Sequence, residues 1–340
     1  MFDFLSQFIQ RSILQGTALL FGSTGEIITE KSGNLNLGIP GIMYMGGICG
    51  VIGGFFYQNA AGRSVNPVLA ILIPLLASLL GSLVASLIYS FLTITLKANQ
   101  NVTGLALTTF GVGFGNFFGG SLIKLVDSDV PSIALTKIAK VYKTTLPFAE
   151  KLADSENIFG KILSWFCQTF LSYGFMVYLA VIIALVAAMV LKKTRIGLHL
   201  RAVGENPATA DAVGINVTAY KYFATCIGGM IAGLGGLYYV IDYANGVWSN
   251  NGFGDRGWLA IALVIFAVWK PNLAIFGSYL FGGLYILFNY IDGASMEMIP
   301  VLKMLPYLVT IVVLIVVSMR KKKENQPPAS LGLSYFREER

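Results

Sequence analysis

LSYGFMVYLAVIIALVAAMVL (Leu171–Leu191), KKTRIGLHLRAVGENPATADAVGINVTAYK (Lys192–Lys221) and YFATCIGGMIAGLGGLYYVI (Tyr222–Ile241) follow one another, and their contrast decides the fold. The first and third carry no charge, and each approaches the ~20 residues a helix needs to cross hydrocarbon. The middle segment opens on Lys192, Lys193 and Arg195. A basic loop at the end of a span reads as cytoplasmic. Within it, Glu205–Ile215 has the build of a short helix: Asn206 to cap it, Pro207 for its first turn, Gly214 to stop it. A capped helix between two spans is a surface for a soluble partner. An ordinary ordered loop fits the spacing equally well.

The same contrast recurs along the chain. Charge-free runs cover Ser32–Gly62, Ser64–Leu96, Ala98–Ile123 and Pro271–Ile291, and Met304–Met319 runs apolar into Arg320 and three lysines. A weaker first span lies within Phe8–Thr29, with no convincing signal-peptide pattern. Of 340 residues only 12% are charged, against about 25% in ordinary domains. The reading is an all-α, polytopic transmembrane helical bundle of about 8–10 spans over residues 1–320. A polar tail, 321–340, holds two consecutive prolines and reads as disordered. Gly257–Trp269 is too short to cross alone; it borrows from Trp248–Arg256 or re-enters.

The connections are unequal. Leu96–Gln100 and Trp269–Asn272 read as cytoplasmic turns, Gln58–Asn66 as a short outer turn, and Lys124–Phe170 as a long outer segment. The end of that segment, Glu156–Phe170, has a broad apolar face suited to an interfacial helix, a lid or a dock. The net charge of +7 sits at span ends without an aromatic-interleaved basic stripe, so no nucleic-acid partner is expected. Three distant cysteines give no metal or disulfide pattern.

No catalytic set can be assembled. The Gly160-Lys161 pair lacks the Ser or Thr of a phosphate-binding loop. The glycines around Gly111, Gly113 and Gly115 lie inside an apolar run and read as packing surface. Gly115 with Gly119, and Gly229 with Gly233, have the four-residue spacing that lets helix backbones approach. His199 is the sole histidine and reads as solvated at a span end.

One polar cluster stands at membrane depth: Glu30-Lys-Ser-Gly-Asn34-Leu-Asn36-Leu-Gly-Ile-Pro40-Gly41. Its amides, glycines and proline favour a broken helix, tolerated in a membrane only against protein or a watery cavity. A plain turn with Asn34 capping the next helix is the other reading. Asn99, Asn101 and Thr103 open another span in the same style. Unpaired amides in hydrocarbon are costly, so Asn34, Asn36, Asn101 and Thr103 are the candidates for a solute pathway. Asp242, Asn245, Asp255 and Arg256 are expected near the outer mouth.

Three ordered stretches carry a family resemblance: EKSGNLNLGIPGIMYMGG (Glu30–Gly47), KANQNVTGLAL (Lys97–Leu107) and RAVGENPATADAVGINV (Arg201–Val217). They resemble permease subunits of the nucleoside and simple-sugar branch of the branched-chain amino acid/sugar ABC importers, and among those the shorter permease of a heterodimeric pair. The resemblance implies a non-catalytic, multi-pass subunit of a bacterial cytoplasmic (inner) membrane. It further implies an ATP-binding subunit, a second and different permease, an extracytoplasmic substrate-binding protein or lipoprotein, a membrane lipid surround and no cofactor. Arg201, Glu205, Asn206, Pro207, Ala208 and Gly214 fall in the segment that couples to the ATPase. Nucleosides come first as substrate, with riboflavin-like compounds and simple sugars open. Two other classes compete. A self-sufficient secondary transporter or channel would carry ionisable residues in its spans, and these spans are nearly free of them. A membrane scaffold would not need the capped loop.

Overall fold

The structure, a computed structural model, describes residues 2–62, 64–124, 133–145, 165–291, 297–320 and 325–337. Nearly all of it is helical. In chain order come α1 (Phe2–Glu30), α2 (Ile39–Ala61), α3 (Pro67–Ser90) and α4 (Gln100–Lys124). A two-residue strand β1 (Ile133–Ala134) and α5 (Thr136–Tyr142) follow. Next are α6 (Phe175–Lys193), α7 (Arg195–Glu205), α8 (Pro207–Ala212), α9 (Val217–Tyr238) and β2 (Val247–Trp248). The last are α10 (Arg256–Phe266), α11 (Pro271–Ile286), α12 (Met298–Lys303) and α13 (Leu305–Arg320).

Among the described residues, 6 helical stretches are long and apolar enough to cross a membrane: Ile39–Ala61, Pro67–Thr95, Phe175–Lys193, Val217–Tyr243, Pro271–Tyr290 and Met298–Met319. α1 and α4 have the length with more polar faces. A further traverse is broken. It leaves β2, dips through a coil, continues as the eleven-residue α10 and ends at Lys270. Such a helix is about 16 Å long, half the ~30 Å of hydrocarbon, so α10 is too short to cross by itself. Together these make the bundle of about 8–10 spans that the runs imply.

α3 shows how such a bundle packs. Its buried face is a ladder of Ser78, Ser82, Ser86 and Ser90, while Leu72, Leu76, Leu80 and Val84 point outward. Lipid tails are as apolar as leucine, so small residues rather than large ones mark the helix contacts. Three of the four serine hydroxyls are satisfied within the bundle: Ser82 and Ser86 each donate to the carbonyl four residues back at 2.7 Å, and Ser78 donates to the Gly233 carbonyl at 3.2 Å. α9 stands at the centre, against α1, α2 and α3. Its Gly229 and Gly233 lie on the Ser86 and Ser82 side chains, and Gly233 also meets Gly46 of α2. The expected pair Gly115 and Gly119 does something else. It forms a trough on α4 for the Trp248 indole, because only a missing Cβ leaves room for that ring.

The two ends of the bundle differ. At one end β1 pairs antiparallel with β2, Ile133 opposite Trp248. There Gln58 donates to the Ala134 carbonyl and Lys137 to the Gly62 carbonyl. At the other end lie α7, α8, Lys97, Lys270 and residues 325–337. This sorting puts every described segment expected to be cytoplasmic on one face. The expected interfacial helix at Glu156–Phe170 lies outside the described residues, except that 165–170 are helical.

Three expectations are corrected. Residues 325–337, read as disordered, are laid along α7 and α8: their prolines and glycine place hydrogen-bonding groups against those helices. The spans also hold more ionisable groups than the apolar runs suggested. Glu26, Glu30, Lys221, Asp242 and Arg256 are all buried: Glu26 lies inside the weak first span, and the others lie at the edges of the charge-free runs. Lastly, Asp242 and Arg256, expected near the outer mouth, are buried rather than open to solvent. Arg256 donates to the Phe253 carbonyl at 3.0 Å and to Gln15 Oε1 at 3.2 Å. Its guanidinium lies 4.6, 5.3 and 5.4 Å from the rings of Tyr239, Tyr243 and Tyr285. Asn245 accepts from Lys143, and Asp255 is exposed.

Candidate functional site

The capped loop folds as two short helices on one face. Thr194 Oγ1 accepts the Gly197 N–H at 3.1 Å and starts α7. Asn206 ends it, and its Oδ1 accepts the Thr209 N–H at 3.0 Å to start α8, with Pro207 at the first position. Gly214 stops α8 at a φ of 87°, a left-handed conformation that costs glycine little. Asn216 then accepts the Ala219 N–H at 3.0 Å and opens α9. Val203, Ala210 and Val217 bury together under this corner, with Ile215 and Tyr335 against them. Arg201, Glu205, Asn206, Ala208 and Gly214 remain exposed, and Pro207 is half-buried. His199 is not free in solvent: its Nδ1 is 2.8 Å from the Tyr220 hydroxyl.

Gly204 joins this corner to the inner loop. A Cβ there would lie 2.3 Å from the Lys31 carbonyl oxygen, so only glycine permits the contact. Burial lowers the Lys31 ammonium pKa below its ordinary value, while the Glu205 carboxylate acts to raise it. α7 thus packs directly on the backbone at the end of α1.

The loop from Lys31 to Gly38 is held on every side. Glu26 Oε1 accepts the Asn36 N–H at 3.0 Å, and Gln100 Oε1 accepts the Leu35 N–H at 2.7 Å. Tyr89 donates to the Leu35 carbonyl, and Thr108 to the Leu37 carbonyl at 2.7 Å. Asn34 Nδ2 reaches Thr225 Oγ1 at 3.3 Å, and Asn36 Oδ1 accepts the Gly38 N–H at 2.9 Å. Asn34 is thus no helix cap; Gly38 occupies that position before α2. Asn34 Oδ1, Asn36 Nδ2, Gln100 Nε2, Glu26 Oε2 and Ser90 Oγ are buried without a protein partner among the described residues. Such groups are costly unless something meets them.

The four pathway candidates do not form one cluster. Asn34 and Asn36 are buried together. Thr103 bonds the Asn99 carbonyl at 2.8 Å, and Asn101 is exposed on the first turn of α4. Missed at the sequence level were Glu26, Tyr89, Gln100, Thr108 and Thr225, which hold the loop from four helices, α1, α3, α4 and α9. Only their polarity at membrane depth could have marked them. Beside the loop is a cavity of about 600 Å³, lined by Glu30, Leu35, Leu37, Trp269 and Gln326 among others. Trp269 donates to Glu30 across it, and Val268 and Trp269 both have left-handed φ values, 52° and 53°.

The sequence has clear relatives. The family described as "Branched-chain amino acid transport system / permease component" matches residues 8–318. The chain is 32% identical over 311 residues, 90% of each chain, to the nucleoside ABC transporter permease protein NupC of Lactococcus lactis. It is 28% identical over 323 residues, 91% of each, to the guanosine ABC transporter permease protein NupQ of Bacillus subtilis. It is 29% identical over 361 aligned residues, 99% of each, to the putative glucose ABC transporter permease protein TsgC13 of Haloferax volcanii.

Proposed function

This chain belongs to the permease components of branched-chain amino acid type ABC transporters, and from that premise we propose that it carries a nucleoside inward beside a second, different permease. The face bearing α7 and α8 is cytoplasmic, and α8 seats in a separate ATP-binding subunit, which supplies the hydrolysis. The opposite face, with β1, β2 and α5, receives solute from an extracytoplasmic binding protein. The observation that carries the reading is the exposed, doubly capped α8, joined through Gly204 to the polar inner loop.

The same loop supports the substrate class. Asn34, Asn36 and their neighbours offer uncharged donors and acceptors with buried, unpartnered atoms. A neutral, hydroxyl-rich solute needs hydrogen bonds and no counter-charge. Asn101 and Thr103, at the start of α4, extend this polar edge toward the second permease. Glu26 and Glu30 favour an ion-coupled transporter as the second reading, but both carboxylates accept hydrogen bonds that fix the loop and Trp269. That gives them structural work.

Vesicles holding this chain, its second permease and the ATPase test the reading. ATP inside the cytoplasmic compartment should drive uptake of guanosine delivered by the binding protein, in preference to glucose. Full uptake from a proton or sodium gradient without ATP would sink it.

A further inference from the structure

The described part of the tail is anchored at several separate points. The Ser330 N–H donates to the Gly204 carbonyl at 3.0 Å, and its hydroxyl to the same oxygen at 2.5 Å. The Gly332 N–H donates to the Gly33 carbonyl at 3.2 Å. The Tyr335 hydroxyl donates to Asp211 Oδ2 at 2.8 Å, and Arg337 Nε is 3.3 Å from the same oxygen. Lys97 lies 4.0 Å over the Phe336 ring, and Lys270 donates to Asn325 Oδ1 at 2.8 Å. These contacts reach α7, α8, the inner loop and both neighbouring turns. A tail needed only to end the chain would not bury Ser330 or fit Tyr335 into the Val203–Ala210–Val217 cluster.

The outward side is unlike the anchored side. Leu333 is 61% exposed, Phe336 38%, and Val213, two residues from Asp211, 72%. These apolar groups flank the Arg337–Asp211 ion pair in the chain. An apolar centre with a mixed-charge rim is the make-up of a protein interface, and this one is continuous with α8. We infer that residues 325–337 are the second half of the surface that receives the ATP-binding subunit, with Leu333 and Phe336 as contact residues beside α8. The inference rests on the docking role proposed for α8 and extends it to a segment outside the coupling loop.

The test uses the assembled importer, with Leu333→Asp and Phe336→Ala made together, and Ala208→Trp made separately. Binding of the ATPase to the permease pair is measured in detergent, alongside thermal unfolding of the pair alone. Leu333 points outward and Phe336→Ala gives up one contact, that with Lys97, so the double variant should unfold close to the wild type. Its ATPase affinity should fall by at least about tenfold, the loss expected of an interface anchor, with uptake falling in parallel. Wild-type ATPase binding by the double variant overturns the inference, and if Ala208→Trp still weakens binding, α8 docks alone. If only the double variant weakens binding, the tail surface stands and the role of α8 falls. A double variant that unfolds early also overturns it, because those side chains would then be part of the fold.

Discussion

Glu26 Oε1 accepts the backbone N–H of Asn36 at 3.0 Å, ten residues along the chain and across the turn that joins α1 to α2. A carboxylate in a buried helix is thereby committed to the backbone of a loop. Glu26→Leu leaves that N–H unpaired and should destabilise the protein by about 1–3 kcal/mol. Glu26→Gln keeps an acceptor oxygen and should cost much less. Thermal unfolding in detergent, followed by size-exclusion fluorescence, separates the two. Equal losses would mean that charge, not the hydrogen bond, is what the site needs.

Asn36→Leu removes the polar group whose Nδ2 has no protein partner, and with it the cap on Gly38. Uptake should fall while the complex still assembles. Wild-type uptake by this variant would take Asn36 out of the pathway.

Gly119 should not accept any side chain. A Cβ there would stand 2.0 Å from Trp248 Nε1, whereas at Gly113 it would meet nothing within 4 Å. Gly119→Ala should cost about 1–3 kcal/mol by overpacking, and Gly113→Ala should be silent. The pair gives an internal control in one helix, read by the same unfolding assay.

Asn206→Ala deletes the α8 cap and should cost about 1 kcal/mol. The loss is local, so it should show as faster amide exchange in residues 209–212. Glu205→Lys should instead leave exchange unchanged and uncouple ATP hydrolysis from uptake. Normal substrate-stimulated hydrolysis in Glu205→Lys would remove that residue from the interface.

Thr209→Cys and Thr144→Cys, each exposed, report the two faces. With Cys49, Cys167 and Cys226 replaced, an impermeant thiol reagent should label Thr209→Cys from the cytoplasmic side and Thr144→Cys from outside. The reverse pattern would invert the orientation.

Much of this architecture is readable from residues alone. Charge-free runs, the Asn206–Pro207–Gly214 pattern and the basic ends are local signals, and the capping geometry follows them atom for atom. The holding of the inner loop is not local. Gln100, Tyr89 and Thr225 come from three other helices, and nothing in their own neighbourhoods says where they point. The tail misleads for a related reason: its composition is that of a free segment, and its order comes entirely from groups on α7, α8 and the loops. Gly119 has the spacing of a helix-contact glycine, yet a tryptophan from a distant strand uses the space.

The face of α9 toward α1 and α2 carries glycines between larger contacts such as Leu237 and Tyr238. Gly228 lies against the backbone of Gly25, Gly233 against Gly46, and Gly236 against the Met43 carbonyl. Backbones this close leave no room for an added carbon, so the seating of α9 on α1 and α2 depends on these glycines. Its lower end is capped by Asn216, immediately after the segment an ATPase would push. A single methyl group at Gly228 would strike Thr29 Oγ1 and the Gly25 carbonyl oxygen, and so would force α9 away from α1.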